Sequence, residues 1–214
     1  MIRKILTALI ASSAVYLLPA AIVHPDVLRS PQLWVLVAFG VAISVFQPAY
    51  KPVDSSAPPH DRGTAAQIVW SVYLTQFIGI LEALFLRYPD GFRWDAITTI
   101  ALFGMAIGLG LRVWAVLTLG RFFTWFITVY EDHQVIRSGP FRFIRHPAYC
   151  GALILFVATL VLLHAWIAAV LSLVFQLFAY VRRIIYEERM MVERMGEPYA
   201  RYRREVRALV PLLW

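Results

Sequence analysis

The sequence predicts an all-α integral membrane protein with about six transmembrane helices, the last two a tight hairpin, and a C-terminal amphipathic helix. Three observations carry that prediction. Of the 214 residues, 60% are hydrophobic and only 15% charged, with a mean hydropathy of +0.68. That is more apolar surface than a soluble domain of this size needs for its core. The apolar residues also form runs suited to a hydrocarbon layer ~30 Å thick. Finally, the basic residues gather at one alternate set of run ends.

The first run, about Ile5 to Val23, follows Arg3 and Lys4. A charged start and an apolar run could be a secretory signal, but no small-x-small cleavage site follows, so it reads as a first span. The second runs from about Leu33 to Phe46, and the Pro- and Ser-rich stretch Gln47 to Arg62 then forms a loop. The chain divides there into an N-terminal transmembrane hairpin with its loop, 1–62, and a core, 63–214. The third and fourth spans run from about Ala66 to Leu86 and Ala96 to Leu119. Gly104-x-x-x-Gly108, with Gly110, allows the fourth to approach a neighbour closely. The fifth and sixth, about Tyr149 to Leu163 and Ala165 to Val181, are separated by His164 near the tip of their hairpin. Five crossings with a re-entrant hairpin is the alternative count. After them, Met190, Met191 and Val192 alternate with charged residues, and Tyr199 and Tyr202 with arginines, as in an amphipathic helix lying on a membrane face.

With six crossings, Lys and Arg are divided sixteen to three between the two faces, the minority being Arg29, Arg87 and Arg93. The positive-inside rule then puts both termini in the cytoplasm. Trp34, Tyr50, Trp70, Tyr88, Trp94, Trp166 and Tyr180 fall near span ends, as interfacial belts require. The net charge of +7 does not imply nucleic acid, since these basic residues flank apolar spans; membrane lipid head groups are the expected counter-charge. A single cysteine, Cys150, excludes an intrachain disulfide and a multi-cysteine metal site, and no metal is expected. The compact loops suggest a prokaryotic inner membrane.

Two ionisable residues fall inside spans. Glu82 lies near the outer end of the third, and Arg112 about seventeen residues into the fourth, a difference in depth of nearly 20 Å at ~1.5 Å per residue. They are not partners on that reading. Glu82 reads as a local polar contact. Arg112 either lines a pocket near the cytoplasmic end or snorkels to the interface.

The densest chemistry follows the fourth span. His133 to Gly151 brings together His133, Gln134, Arg137, Ser138-Gly139-Pro140, Arg142, Arg145-His146-Pro147 and Tyr149. Ser138-Gly139-Pro140 is a turn signal, and Pro147 suits the first turn of a helix. Such a helix start offers unpaired N–H donors to a polar or anionic group, and Arg145 and His146 would add more. Taken alone, Arg145 as an interfacial anchor and His146 as a capping side chain explain the same residues. Beyond the hairpin, Arg183 and Glu187 are spaced i,i+4 and share a helix face. They either pair with each other or point at different parts of a ligand.

This block resembles the isoprenylcysteine carboxyl methyltransferase family, integral membrane enzymes that use S-adenosylmethionine, and the related membrane phospholipid methyltransferases. The resemblance rests on His133-x-Val135-Ile136-x-x-Gly139-Pro140-Phe141, Arg145-His146-Pro147-x-Tyr149-x-Gly151, Glu187-Glu188 and Met195-Gly196-x-x-Tyr199-x-x-Tyr202, with Leu119-Gly120 at the entry to the region. It covers about Leu111 to Pro211; the first three spans carry no matching motif. It implies a cytoplasmic cofactor pocket with His133, Gln134, Val135 and Ile136 on one wall and His146, Pro147, Ala148 and Tyr149 on the other. Phe141 and Glu187 also contact the cofactor on this reading. Arg183 would face the methyl acceptor and, with Arg145, form the catalytic pair. Phe141 stands where the family often has Tyr, and Met195 where Phe is common. The implied reaction is methylation of the carboxylate of an isoprenylcysteine-type lipophilic acceptor entering from the bilayer. A phosphatidylethanolamine amine is the alternative, with Glu188 as its base. An NADPH-dependent sterol-type reductase and an inactive scaffold are more distant alternatives. Tyr149 is expected to tolerate Phe if only its ring contributes.

Overall fold

In a computed structural model, residues 2–46 and 58–209 are described. Among the described residues, seven α-helices form: α1 (Ile2–Val23), α2 (Pro31–Val45), α3 (Thr64–Phe85), α4 (Ala96–Leu119), α5 (Pro147–Leu162), α6 (Trp166–Met195) and α7 (Glu197–Glu205). Four helical stretches are long and apolar enough to cross a membrane: Ile2–Val23, Thr64–Phe85, Ala96–Phe122 and Trp166–Met195. The other two apolar helices, α2 and α5, have 15 and 16 residues, so at ~1.5 Å per residue each falls short of a ~30 Å layer. The six apolar runs of the sequence are thus four long helices and two short ones. Most of the loop expected over Gln47 to Arg62, and the interfacial Tyr50, lie outside the described residues.

Local chemistry sets the helix ends. Pro31 and Pro147 occupy the first turns of α2 and α5, where a missing N–H costs nothing. Asp95 caps α4 through a reciprocal pair with Thr98. Gly120 and Gly196 adopt positive φ where α4 and α6 stop. The start of α6 is capped from another helix: the Glu82 carboxylate of α3 accepts from Ile167 N (3.2 Å) and Ala168 N (2.8 Å) and pairs with Arg87 at 3.2 Å. A negative charge on a helix N-terminus is favourable, and Glu82 makes the local polar contact expected of it.

α5 packs chiefly on α4, and α6 on α3. A Cβ on Gly108 would lie 2.6 Å from Leu155 N and 2.7 Å from Gly151 O; a Cβ on Gly151 would lie 2.6 Å from Gly108 O. The two backbones meet at this pair of glycines. Gly104 faces Ala158, whereas Gly110 faces open space. Within the bundle, Gln76 joins three helices: Tyr16 Oη (2.8 Å) and Thr159 Oγ1 (2.9 Å) donate to its Oε1, and its Nε2 donates to Phe156 O (2.9 Å). Each buried polar atom is thereby met where no water could substitute. Ile100, Phe103, Ile107 and Leu117 of α4 and Val170, Val174 and Phe178 of α6 are exposed, as lipid-facing positions should be.

Gly151→Ala is expected to destabilise the protein by about 1–3 kcal/mol, because the new methyl meets backbone that cannot turn aside. Gly110→Ala, with open space around it, should leave thermal unfolding in detergent unchanged.

Candidate active site

Between the end of α4 and the start of α5 the chain forms no α-helix apart from short 3-10 turns, so its backbone groups need partners from elsewhere. Around Trp125 and Ile127 they find them at three points. Ile127 N donates to Asp61 Oδ1 (3.1 Å), Ile127 O meets His60 Nε2 (2.7 Å), and Trp125 O accepts from Arg183 Nη2 (2.7 Å). This strand of irregular chain is held away from α5, and a cavity of about 870 Å3, counting its open mouth, lies between them.

The cavity brings together residues far apart in sequence. His133, Gln134, Val135 and Ile136 form one wall; His146, Pro147, Ala148 and Tyr149 form another; Phe141, Arg145, Arg183 and Glu187 complete the set read from sequence. Phe122, Phe123, Phe126, Met191, Tyr199 and Tyr202 also line it, and sequence reading had not placed them there. α7 reaches the site because Tyr202 Oη donates to Phe141 O (2.6 Å), with Tyr199 and Tyr202 both buried. Its buried tyrosines therefore help to cover the cavity. Burial raises both tyrosine hydroxyls above their ordinary pKa, so both are neutral donors.

Arg183 is 4% exposed. Its Nη1 donates to Asp61 Oδ1 (2.8 Å) and Thr64 Oγ1 (3.0 Å), and its Nε to Tyr149 Oη (2.9 Å). With Trp125 O, four of its five N–H groups are used. Glu187, the i+4 residue that the sequence left as either a partner or a ligand contact, lies at 4.0 Å, while Asp61, 122 residues away, makes the direct ion pair. Tyr149 stands between the two charges, accepting from Arg183 and donating to Glu187 Oε2 (2.7 Å). It contributes a hydroxyl as well as a ring.

A second carboxylate, Glu188, lies behind the wall. It accepts from Arg145 Nε (2.7 Å) and Arg203 Nε (2.9 Å) and meets His146 Nε2 (3.0 Å). Arg145 also donates to the Arg203 and Val206 carbonyls, so this cation ties α5, α6 and α7 together and is not a surface anchor. His146 directs its side chain to Glu188 and makes no cap for α5. The helix start is also less open than expected. Arg145 N and His146 N donate to Arg207 O and Ala208 O, Tyr149 N and Cys150 N donate to His146 O, and Pro147 has no N–H. Arg112 does not snorkel: it is buried, and Nη1 donates to Ala148 O at 3.1 Å.

The charges lining the cavity are Arg145, Arg183 and Glu187. Arg145 is matched by Glu188 and Arg183 by Asp61, which leaves Glu187 as the carboxylate that faces the space, its side chain 28% exposed. His133 stacks on Phe122 (4.5 Å), and its buried Nδ1 has no partner among the described residues. Burial lowers its pKa, against the pull of Glu187 and Asp132, so it is neutral at pH 7. The site as built suits a cation with an aromatic body. Among the described residues no cluster of three or more His, Cys, Asp or Glu could hold a metal.

The family model of the isoprenylcysteine carboxyl methyltransferase family matches residues 98–193. Protein-S-isoprenylcysteine O-methyltransferase A of Arabidopsis thaliana is 34% identical over 144 residues, 65% of this chain and 73% of the relative. The chain belongs to this family. An Oryza sativa subsp. indica protein, named as a probable protein-S-isoprenylcysteine O-methyltransferase, is 31% identical over 85% of this chain and 97% of the relative. The solved structure of the eukaryotic intramembrane Ras methyltransferase, isoprenylcysteine carboxyl methyltransferase, superposes with a TM-score of 0.66 at 20% identity. It covers 94% of this chain and 74% of that one. That fold and the four long apolar helices make this family member an integral membrane protein. In it, Asp61 is the site residue that sequence reading missed. The one signal in the sequence was an acid three residues before a helix start, and Ala65 N does donate to it at 3.1 Å.

Tyr149→Phe is expected to cost about 1–3 kcal/mol, because Arg183 and Glu187 each lose a buried partner. Thermal unfolding of the purified variant measures this; an unchanged midpoint would mean that only the ring contributes.

Proposed function

We propose that the chain transfers a methyl group from S-adenosylmethionine to the carboxylate of an isoprenylcysteine-type lipophilic acceptor. The observation that carries the cofactor assignment is the Glu187 carboxylate facing a cavity whose two lining cations, Arg145 and Arg183, are each paired with another carboxylate. When bound, S-adenosylmethionine supplies a methyl group on a cationic sulfur, which leaves as a neutral thioether once an acceptor oxygen takes the methyl. Glu187 is the group that attracts the cation, and Phe122, Phe123 and Phe126 offer faces for cation–π contact and stacking. His133 to Ile136 and His146 to Tyr149 hold the body of the cofactor between two walls.

The acceptor carboxylate, with a pKa of about 3.5, is ionised near pH 7 and requires no general base. The residues then have to position it and exclude water. Arg183 has one N–H uncommitted, so it gives the acceptor a single directed hydrogen bond, not a bidentate grip. Arg145 acts as a positioning residue through Glu188. The phospholipid amine alternative is disfavoured because it needs a base, and Glu188 is already met by Arg145, His146 and Arg203 and does not line the cavity. The curated relatives, named as protein-S-isoprenylcysteine O-methyltransferases, support the carboxylate reading. The lysine and arginine bias supports a cytoplasmic mouth, and the compact loops a prokaryotic inner membrane. The acceptor's tail comes from the surrounding lipid.

Purified protein given methyl-labelled S-adenosylmethionine is expected to label a prenylated cysteine with a free carboxylate, as a base-labile ester, and not its carboxamide or phosphatidylethanolamine. Glu187→Ala should lower cofactor affinity by about 10-fold or more, the scale of a charge-assisted contact. Labelling of phosphatidylethanolamine alone would overturn the assignment.

A further inference from the structure

Asp61 belongs to the segment just before α3, outside every motif that marks the site, yet it is fully buried. Its Oδ1 accepts from Arg183 Nη1 (2.8 Å) and Ile127 N (3.1 Å), and its Oδ2 from Ala65 N (3.1 Å). One carboxylate therefore meets a cation that lines the cavity, holds the backbone of the cavity wall at Ile127, and starts a helix. We propose that Asp61 is a specificity-determining residue: by neutralising Arg183 it leaves the Glu187 charge uncompensated, and so biases the cavity toward the cationic methyl donor over its product. The inference rests on the cofactor reading above.

The physics is a balance of charges at close range. Arg183 Nε lies 4.0 Å from Glu187 Oε2, with the Tyr149 hydroxyl between them. Without the Asp61 charge, the Arg183 cation would be free to cancel Glu187. S-adenosylhomocysteine differs from S-adenosylmethionine by one methyl and the positive charge on sulfur. A site with net negative charge binds the donor in preference and releases the product, while a neutral site loses that preference. Arg145 meets Glu188, which Arg203 and His146 also meet, and the charges of this cluster are the same in wild type and in the Asp61 variant.

The test is calorimetric, with both ligands measured on wild type and Asp61→Asn in detergent. Asn keeps the volume and one acceptor oxygen but removes the charge. The ratio of donor to product affinity is expected to fall by about 10-fold, as Coulomb interactions over ~10 Å at an effective dielectric near 20 allow. Glu187→Gln, at a partly exposed position, should lower the ratio similarly. A purely structural role would weaken both ligands equally and leave the ratio unchanged, which would overturn the inference while leaving the cofactor reading intact. Failure of wild type to bind either ligand would overturn the cofactor reading and the inference with it. If Asp61→Asn does not fold, Arg183→Gln decides: removing the cation should raise the ratio, and a fall would overturn the proposal.

Discussion

The site is organised around one buried cation. Placing a guanidinium where Arg183 sits is costly unless its charge and its N–H groups are met, and the chain meets them with four partners from three segments. Asp61 and Thr64 come from the start of α3, Trp125 from the connection between α4 and α5, and Tyr149 from α5. Each of those contacts also fixes a piece of the cavity. The partners of Arg183 thus set the distance between the irregular wall and α5, and Tyr149 passes the constraint on to Glu187.

Two further constraints complete the frame. Gly108 and Gly151 bring α4 and α5 to backbone contact, placing the start of α5 beside the chain leaving α4. Glu188 gathers Arg145, His146 and Arg203, and so draws α7 down over the cavity. That makes α7 part of the site: its tyrosines close one side, while Arg201 and Arg204 remain outward. A short helix after a glycine break would be marginal alone, and its packing on Phe141 and the Glu188 cluster holds it in place.

How legible was this in the sequence? The apolar runs gave the helices, and Pro147, the Ser138-Gly139-Pro140 turn and Gly196 marked real punctuation. Every residue that the family resemblance implied for the cofactor lines one cavity. What was not legible depends on separation along the chain. Spacing pointed to Glu187 as the partner of Arg183, since i,i+4 is visible in a sequence and a contact across 122 residues is not. Arg112 and His146 were ambiguous for the same reason: their partners, Ala148 O and Glu188, are fixed by packing. The sequence also could not show that segment 207–208 takes the N–H groups of Arg145 and His146. Nor could it separate apolar helices of crossing length from α2 and α5, whose ends are set by turns.

The functional account reduces to a claim about place: the methyl donor lies between the 133–136 segment and the first turn of α5, drawn there by Glu187. Hydrogen exchange of the detergent-solubilised protein with and without S-adenosylhomocysteine tests this most directly. The account predicts slowed exchange at amides in 133–136 and 146–149, with no change in α1 or α2. Protection confined to other segments, or none at saturating ligand, would contradict it.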